Sequence, residues 1–118
     1  MEKWIVDTTE RFDRWLRSQD EAMIEDVLSS LQTLELFGPR LGRPDVDQIK
    51  GSAFKNMKEL RVQSNGRPVR AFFAFDPLRM AIVLCAGDKT GQKSKRFYSE
   101  MIKIADAEYT KHLEGIST

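Results

Sequence analysis

Lys58-Glu59-Leu60-Arg61-Val62-Gln63-Ser64-Asn65-Gly66-Arg67-Pro68-Val69-Arg70-Ala71-Phe72-Phe73-Ala74-Phe75-Asp76-Pro77 is the stretch that decides the fold. From Lys58 the apolar period is two: Leu60 and Val62 alternate with Glu59, Arg61 and Gln63, the signature of a half-buried strand. Asn65-Gly66 follows, and both residue types tolerate the positive φ of a two-residue hairpin turn. Residues 69–75 form the returning strand, and Asp76-Pro77 makes the next turn, with proline fixing φ. Residues 80–86 are almost continuously apolar, as suits a central strand buried on both faces. The prediction is a meander of three antiparallel strands.

Working outward, Trp4-Ile5-Val6 reads as a short N-terminal strand. Asp7 or Thr8 then caps a helix whose Phe12, Trp15 and Leu16 share one face. Ser18 and Glu21 have capping-box spacing ahead of a second helix striped by Ile24, Val27, Leu28, Leu31 and Leu34. Gly38-Pro39 ends that helix, because glycine suits the left-handed cap and proline cannot continue the ladder. The two helices form a hairpin with an acidic outer face. Residues 38–57 are polar and too long for a structureless loop, so a short turn of helix or strand, or a functional role, is expected there. Beyond a loop at 87–94, Phe97, Tyr98, Met101, Ile102, Ala105, Tyr109 and Leu113 mark a last amphipathic helix. The order β-α-α-β-β-β-α predicts one α+β domain over residues 1–118, with its helices against one sheet face.

Composition narrows the function classes. A chain of 118 residues supports one hydrophobic core, and 41% hydrophobic with 31% charged residues argues against disorder. No apolar run reaches the roughly 20 residues of a membrane span, and the N-terminus lacks the apolar core of a secretory signal. A single cysteine, Cys85, excludes an internal disulfide, so a cytoplasmic location is expected. The net charge of +1 conceals an asymmetry. Residues 1–49 carry six Lys/Arg and eleven Asp/Glu, whereas residues 50–100 carry eleven and four. A basic middle of this kind suggests a polyanionic partner; cations that merely solvate strand faces are the competing reading.

Several chemistries drop out. His112, the sole histidine, has no second ligand at helical spacing, so no zinc site is expected, and it reads as a solvated or dipole-interacting helix-end residue. Cys85 lies in the most apolar strand and reads as an inert core residue. The 86–94 segment lacks phosphate-loop spacing, because Lys93 does not directly follow Gly91. What remains is a set of cations ordered by the sheet. Arg61 and Arg70 alternate with apolar neighbours on adjacent strands, Lys58 opens the first and Lys89 follows the third. Lys93, Lys95 and Arg96 gather where the last helix begins, adding its N-terminal N–H groups, with Tyr98 one turn inside. Arginine forks and lysine point charges on one concave face make a plausible phosphate cradle.

These residues resemble the HigB-like branch of the RelE/ParE toxins, especially its phage-associated members. The resemblance is carried by Lys50-Gly51-Ser52, by Asn56-Met57-Lys58-Glu59-Leu60-Arg61-Val62 and by Arg67-Pro68-Val69-Arg70-Ala71-Phe72-Phe73-Ala74-Phe75-Asp76-Pro77. Leu84-Cys85-Ala86-Gly87-Asp88-Lys89 and Phe97-Tyr98 with Met101 complete it. It implies a RelE-like domain and a type II toxin that cleaves mRNA, typically on the ribosome, and so inhibits translation. It also implies neutralisation by a cognate helix-turn-helix antitoxin, and no metal, cofactor or membrane partner. In such cleavage the ribose 2′-hydroxyl attacks the adjacent phosphate and the 5′-oxygen leaves. By this resemblance Arg61 and Arg70 clamp the scissile phosphate, Lys58 and Lys89 bind flanking phosphates or assist proton transfer, and Tyr98 holds the nucleotide or the attacking hydroxyl. Lys93, Lys95 and Arg96 would contact the RNA backbone. The histidine-and-aspartate arrangement described for some HigB proteins does not carry over, since His112 lies beyond the cationic cluster. A free Lys or Tyr titrates near about 10, and a cationic pocket would shift either downward, toward use as a base. A ParE-like inhibitor of DNA gyrase and a non-catalytic antitoxin-binding relative are the alternatives.

Overall fold

The computed structural model describes residues 2–117. In chain order its elements are β1 (Val6–Thr8), α1 (Glu10–Arg17), α2 (Glu21–Phe37), a 3-10 turn (Gly38–Arg40), β2 (Val46–Gln48), β3 (Lys58–Ser64), β4 (Arg67–Phe75), β5 (Ala81–Asp88) and α3 (Ser94–Ile116). The strands form one sheet in the order β1-β5-β4-β3-β2, with β1 parallel to β5 and every other pair antiparallel. The meander of β3, β4 and β5 is therefore present. Asn65 (φ 50°) and Gly66 (φ 77°) make its first turn in the left-handed region, as their residue types allow. Asp76 organises the second, its carboxylate accepting the backbone N–H groups of Leu78 and Met80 at 2.9 Å each.

Helix boundaries differ from the sequence reading by one or two residues. Thr9, rather than Asp7 or Thr8, caps α1 by accepting from the Phe12 amide. Asp20 caps α2 through the Met23 amide, while Ser18 closes α1 instead of opening a capping box. A short polar side chain caps whichever amide it can reach, and several candidates in a row leave the choice to tertiary packing. Gly38 ends α2 as expected (φ 55°), and its missing side chain leaves room for the Trp4 ring packed over it. The 38–57 segment holds the expected short pieces: the 3-10 turn and β2, which adds an edge strand to β3.

One expectation is corrected: the helices cover both sheet faces. Leu60, Val62, Val69, Ala71, Phe73 and Val83 pack with Phe12 of α1 and Met23, Val27, Leu31 and Leu34 of α2. Phe72, Ala74, Ile82, Leu84 and Cys85 pack on the other face with Phe97, Ala105 and Tyr109 of α3. The cause is visible in β4 and β5, which are apolar at successive positions and would expose half their side chains under a one-sided cover. Burying each large apolar side chain contributes roughly 1.5–3 kcal/mol, so both layers are needed. His112 is likewise tied down rather than solvated: its Nε2 lies 2.8 Å from Asp76 Oδ2, clasping α3 to the β4–β5 turn.

Candidate active site

Strand register builds the site. Arg61 of β3 stands directly opposite Arg70 of β4, which in turn faces Gly87 of β5. Since Leu60 and Val62 point toward α1 and α2, the alternation sends Glu59 and Arg61 to the α3 side. Gly87 lets the start of α3 come close, for a Cβ there would lie 3.1 Å from the Phe97 ring and 3.2 Å from Met101 Sδ. Tyr98 is thereby lowered onto the sheet, packed edge-on against Phe72 at 6.0 Å between ring centres. Lys89 Nζ sits 5.4 Å from the centre of the Tyr98 ring.

The hub of the cluster is a carboxylate. Glu59, with a side chain only 4% exposed, accepts the Tyr98 hydroxyl at 2.6 Å and Arg61 Nε and Nη2 at 3.2 Å each. Arg70 Nε is ion-paired with the same carboxylate at 3.7 Å but is buried without a hydrogen-bond partner, while Arg70 Nη1 donates to the Val69 carbonyl. A buried cationic donor left unsatisfied is costly, so the position is poised for an anion. Arg61 also reaches Asp47 Oδ2 of β2 at 3.1 Å. Burial, the hydrogen bond to Glu59 and the charge of Glu59 raise the Tyr98 pKa above its ordinary value, with Arg70 acting weakly the other way. The downward shift expected of a cationic pocket is thus reversed, because burial of the phenol and, after it, the Glu59 carboxylate outweigh Arg70. Among the described residues no group of three or more His, Cys, Asp or Glu side chains is placed to hold a metal ion.

The chain and its fold have counterparts in known proteins. Residues 14–110 match the family model described as phage derived protein Gp49-like. A Mycobacterium tuberculosis protein named "Putative toxin HigB2" is 48% identical over 111 residues. The chain is a HigB-like member of the Gp49-like family. The match covers 93% of the HigB-like chain but 54% of that relative, so the chain spans about half the relative's length. A second M. tuberculosis protein, "Putative toxin HigB3", is 46% identical over 94 residues, 80% of each chain. Among solved structures, a mutant of the E. coli toxin RelE in the free state superposes with a TM-score of 0.60 at 18% identity, covering 87% of this chain and 97% of RelE. A chain of the intact E. coli RelBE toxin-antitoxin complex gives 0.54 at 12% identity, covering 71% and 94%. At these identities the two structures establish the shared RelE fold.

In the HigB-like chain Arg61, Arg70, Lys89 and Tyr98 come together as the sequence suggested. Lys93, Lys95 and Arg96 are exposed at the beginning of α3, where Arg96 pairs with Glu100 at 3.1 Å. Lys58 does not join them. It shares the parity of Leu60, points to the opposite sheet face and lies 5.6 Å from the centre of the Phe75 ring. Two functional candidates were missed. Glu59 was signalled by its own parity, which puts it beside Arg61, while Asp47 was hidden in what read as loop. A cavity of about 480 Å3 between α1 and α3, lined by Arg11, Arg14, Lys111 and His112 among others, lies apart from this cluster.

Proposed function

We propose that this HigB-like protein is a toxin of a type II toxin-antitoxin system that cleaves mRNA by metal-independent attack of the ribose 2′-hydroxyl, acting on the ribosome to inhibit translation. The observation that carries the reading is the facing pair Arg61 and Arg70 around Glu59 and Tyr98, with Arg70 Nε buried and unsatisfied. A phosphate entering between the two guanidiniums takes over their donors and frees the Glu59 carboxylate. Glu59 then accepts the 2′-hydroxyl proton as the oxygen bonds to phosphorus, and the two arginines stabilise the charge gathering on the phosphoryl oxygens. The phosphorus–5′-oxygen bond breaks, and Lys89 supplies the proton to the leaving oxygen. Tyr98, protonated at neutral pH because its pKa is raised, serves as a donor and stacking surface rather than as the base. A cognate helix-turn-helix antitoxin is the proposed partner, supported by the likeness to a RelBE toxin-antitoxin complex.

The test is inducible expression of the wild type and of Arg70→Ala in bacteria, followed by primer extension on abundant mRNAs. Growth arrest with discrete new 5′ ends is expected from the wild type. Loss of one well-placed donor should lower cleavage by about 10²–10³-fold. Arrest with intact mRNA would overturn the nuclease reading, and gyrase-linked DNA breaks would point to a ParE-like activity instead.

A further inference from the structure

The cationic face does not stop at Arg61. Asp47, on the edge strand β2, uses its two carboxylate oxygens for two different arginines: Oδ2 for Arg61 at 3.1 Å and Oδ1 for Arg43 at 3.2 Å. Arg43 belongs to the turn before β2, which is fixed by the Asp45 and Val46 amides donating to the Gly42 carbonyl and by the Arg61 amide donating to Asp45. The Asp47 carboxylate therefore sets a second guanidinium one carboxylate's width beyond Arg61. That second guanidinium is outward, with 78% of the Arg43 side chain exposed. Beyond it a groove of about 250 Å3 runs over the β2 edge, lined by Arg40, Arg43, Gly42, Gln48 and Lys58. This is where Lys58, turned away from the main cluster, presents its charge.

We infer that the RNA strand crosses the sheet from β4 over β3 to β2 and leaves around that edge, with Arg43 and Lys58 holding the phosphates next to the scissile one. The inference rests on the ribonuclease reading and adds the path of the substrate. Repeated negative charge on a single strand calls for cations in sequence, and Arg70 on β4, Arg61 on β3, Arg43 before β2 and, around the edge, Lys58 on the far face of β3 supply them. A path along α3 would instead use Lys93, Lys95 and Arg96, which no shared carboxylate links to Arg61 as Asp47 links Arg43. Gly42 has no atom within 4 Å of where a Cβ would stand, so the groove floor is open to a backbone.

The experiment measures binding of a short single-stranded RNA, 2′-O-methylated so that it is not cut, by fluorescence anisotropy across about 50–200 mM salt. Wild type, Arg43→Ala/Lys58→Ala, Lys93→Ala/Arg96→Ala and Arg70→Ala are compared. The Arg43/Lys58 double variant should bind more weakly and lower the slope of log K against log salt by about 1.4, at about 0.7 for each lost phosphate contact on a single strand. Arg43→Lys with Lys58 intact should keep the wild-type slope, which separates lost charge from disturbed folding. An unchanged slope in the double variant, with Arg70→Ala still weakening binding, would overturn the β2 path and leave the nuclease reading standing. So would a drop confined to the Lys93/Arg96 variant. No binding by the wild type at low salt would overturn the β2 path as well, while the nuclease reading stands or falls on the primer extension.

Discussion

A phenol, two guanidiniums and a buried carboxylate gather within a few ångströms, and the carboxylate decides how the rest behave. Burial raises the Tyr98 pKa, Glu59 adds to the rise through its hydrogen bond and its charge, and the same carboxylate fixes the Arg61 fork from below. Replacing Glu59 by Gln keeps the shape and removes the charge. Ultraviolet titration of Tyr98 in Glu59→Gln should then show its pKa falling, since Arg70 remains beside the hydroxyl while the anion is gone. Cleavage should drop by about 10²–10⁴-fold if Glu59 is the base. An unmoved phenol titration would mean that Glu59 does not set the state of Tyr98. The sequence made the facing of Arg61 and Arg70 readable because alternation on β3 and β4 puts them on one side. Glu59 shares that parity, but a charged residue on an alternating strand reads as facing water, whereas here that side lies under α3. Lys58 is the converse: its parity with Leu60 already placed it opposite Arg61, and only its neighbourhood in sequence suggested otherwise.

Among the elements, α3 is secured at two points along its length. Near its start Tyr98 reaches Glu59, and near its end His112 reaches Asp76, whose side chain is 1% exposed. Burial alone would push the Asp76 pKa up, but the His112 bond, the Met80 and Leu78 amides and the charge of His112 together hold it below its ordinary value. A carboxyl with a depressed folded-state pKa stabilises the fold above its unfolded value, near about 3.9, and that contribution is lost as pH falls through the folded value. Melting temperature should therefore fall steeply below about pH 4 in the wild type. Asp76→Asn should melt lower at neutral pH and show a shallower acid slope; equal slopes would refute the assignment. Hairpin and helix order were legible here because Asn65-Gly66, Gly38-Pro39 and the apolar stripes are local signals. The cover of α3 on the second sheet face was less so, since a doubly apolar strand states that both faces are buried without saying which helix buries them. Three-residue β2 carries too short a pattern to be seen at all.

On the scale of the molecule, the pairing of β1 with β5 joins the first strand to the last. Thr9 donates its hydroxyl to the Leu84 carbonyl, 75 residues on, and the β1 register runs along residues 81–83 of β5. Long-range pairing of this kind makes folding slow, on the order of milliseconds or longer, because loop closure must precede the contacts that reward it. A chain ending at residue 80 lacks β5, which carries contacts to both core layers. It should show no cooperative thermal transition by circular dichroism, and a sharp transition would disprove this dependence.

The same closure has a consequence in time. Residues leave the ribosome from the N-terminus, so α1, α2 and both arginine-bearing strands emerge before β5 can join them or Tyr98 can settle on Glu59. On the proposed function, vectorial synthesis withholds the assembled site until α3 has followed β5 out of the ribosome. On that reading the nascent chain cannot cut before Tyr98 has settled, and a partner meeting it during translation finds it before it is armed.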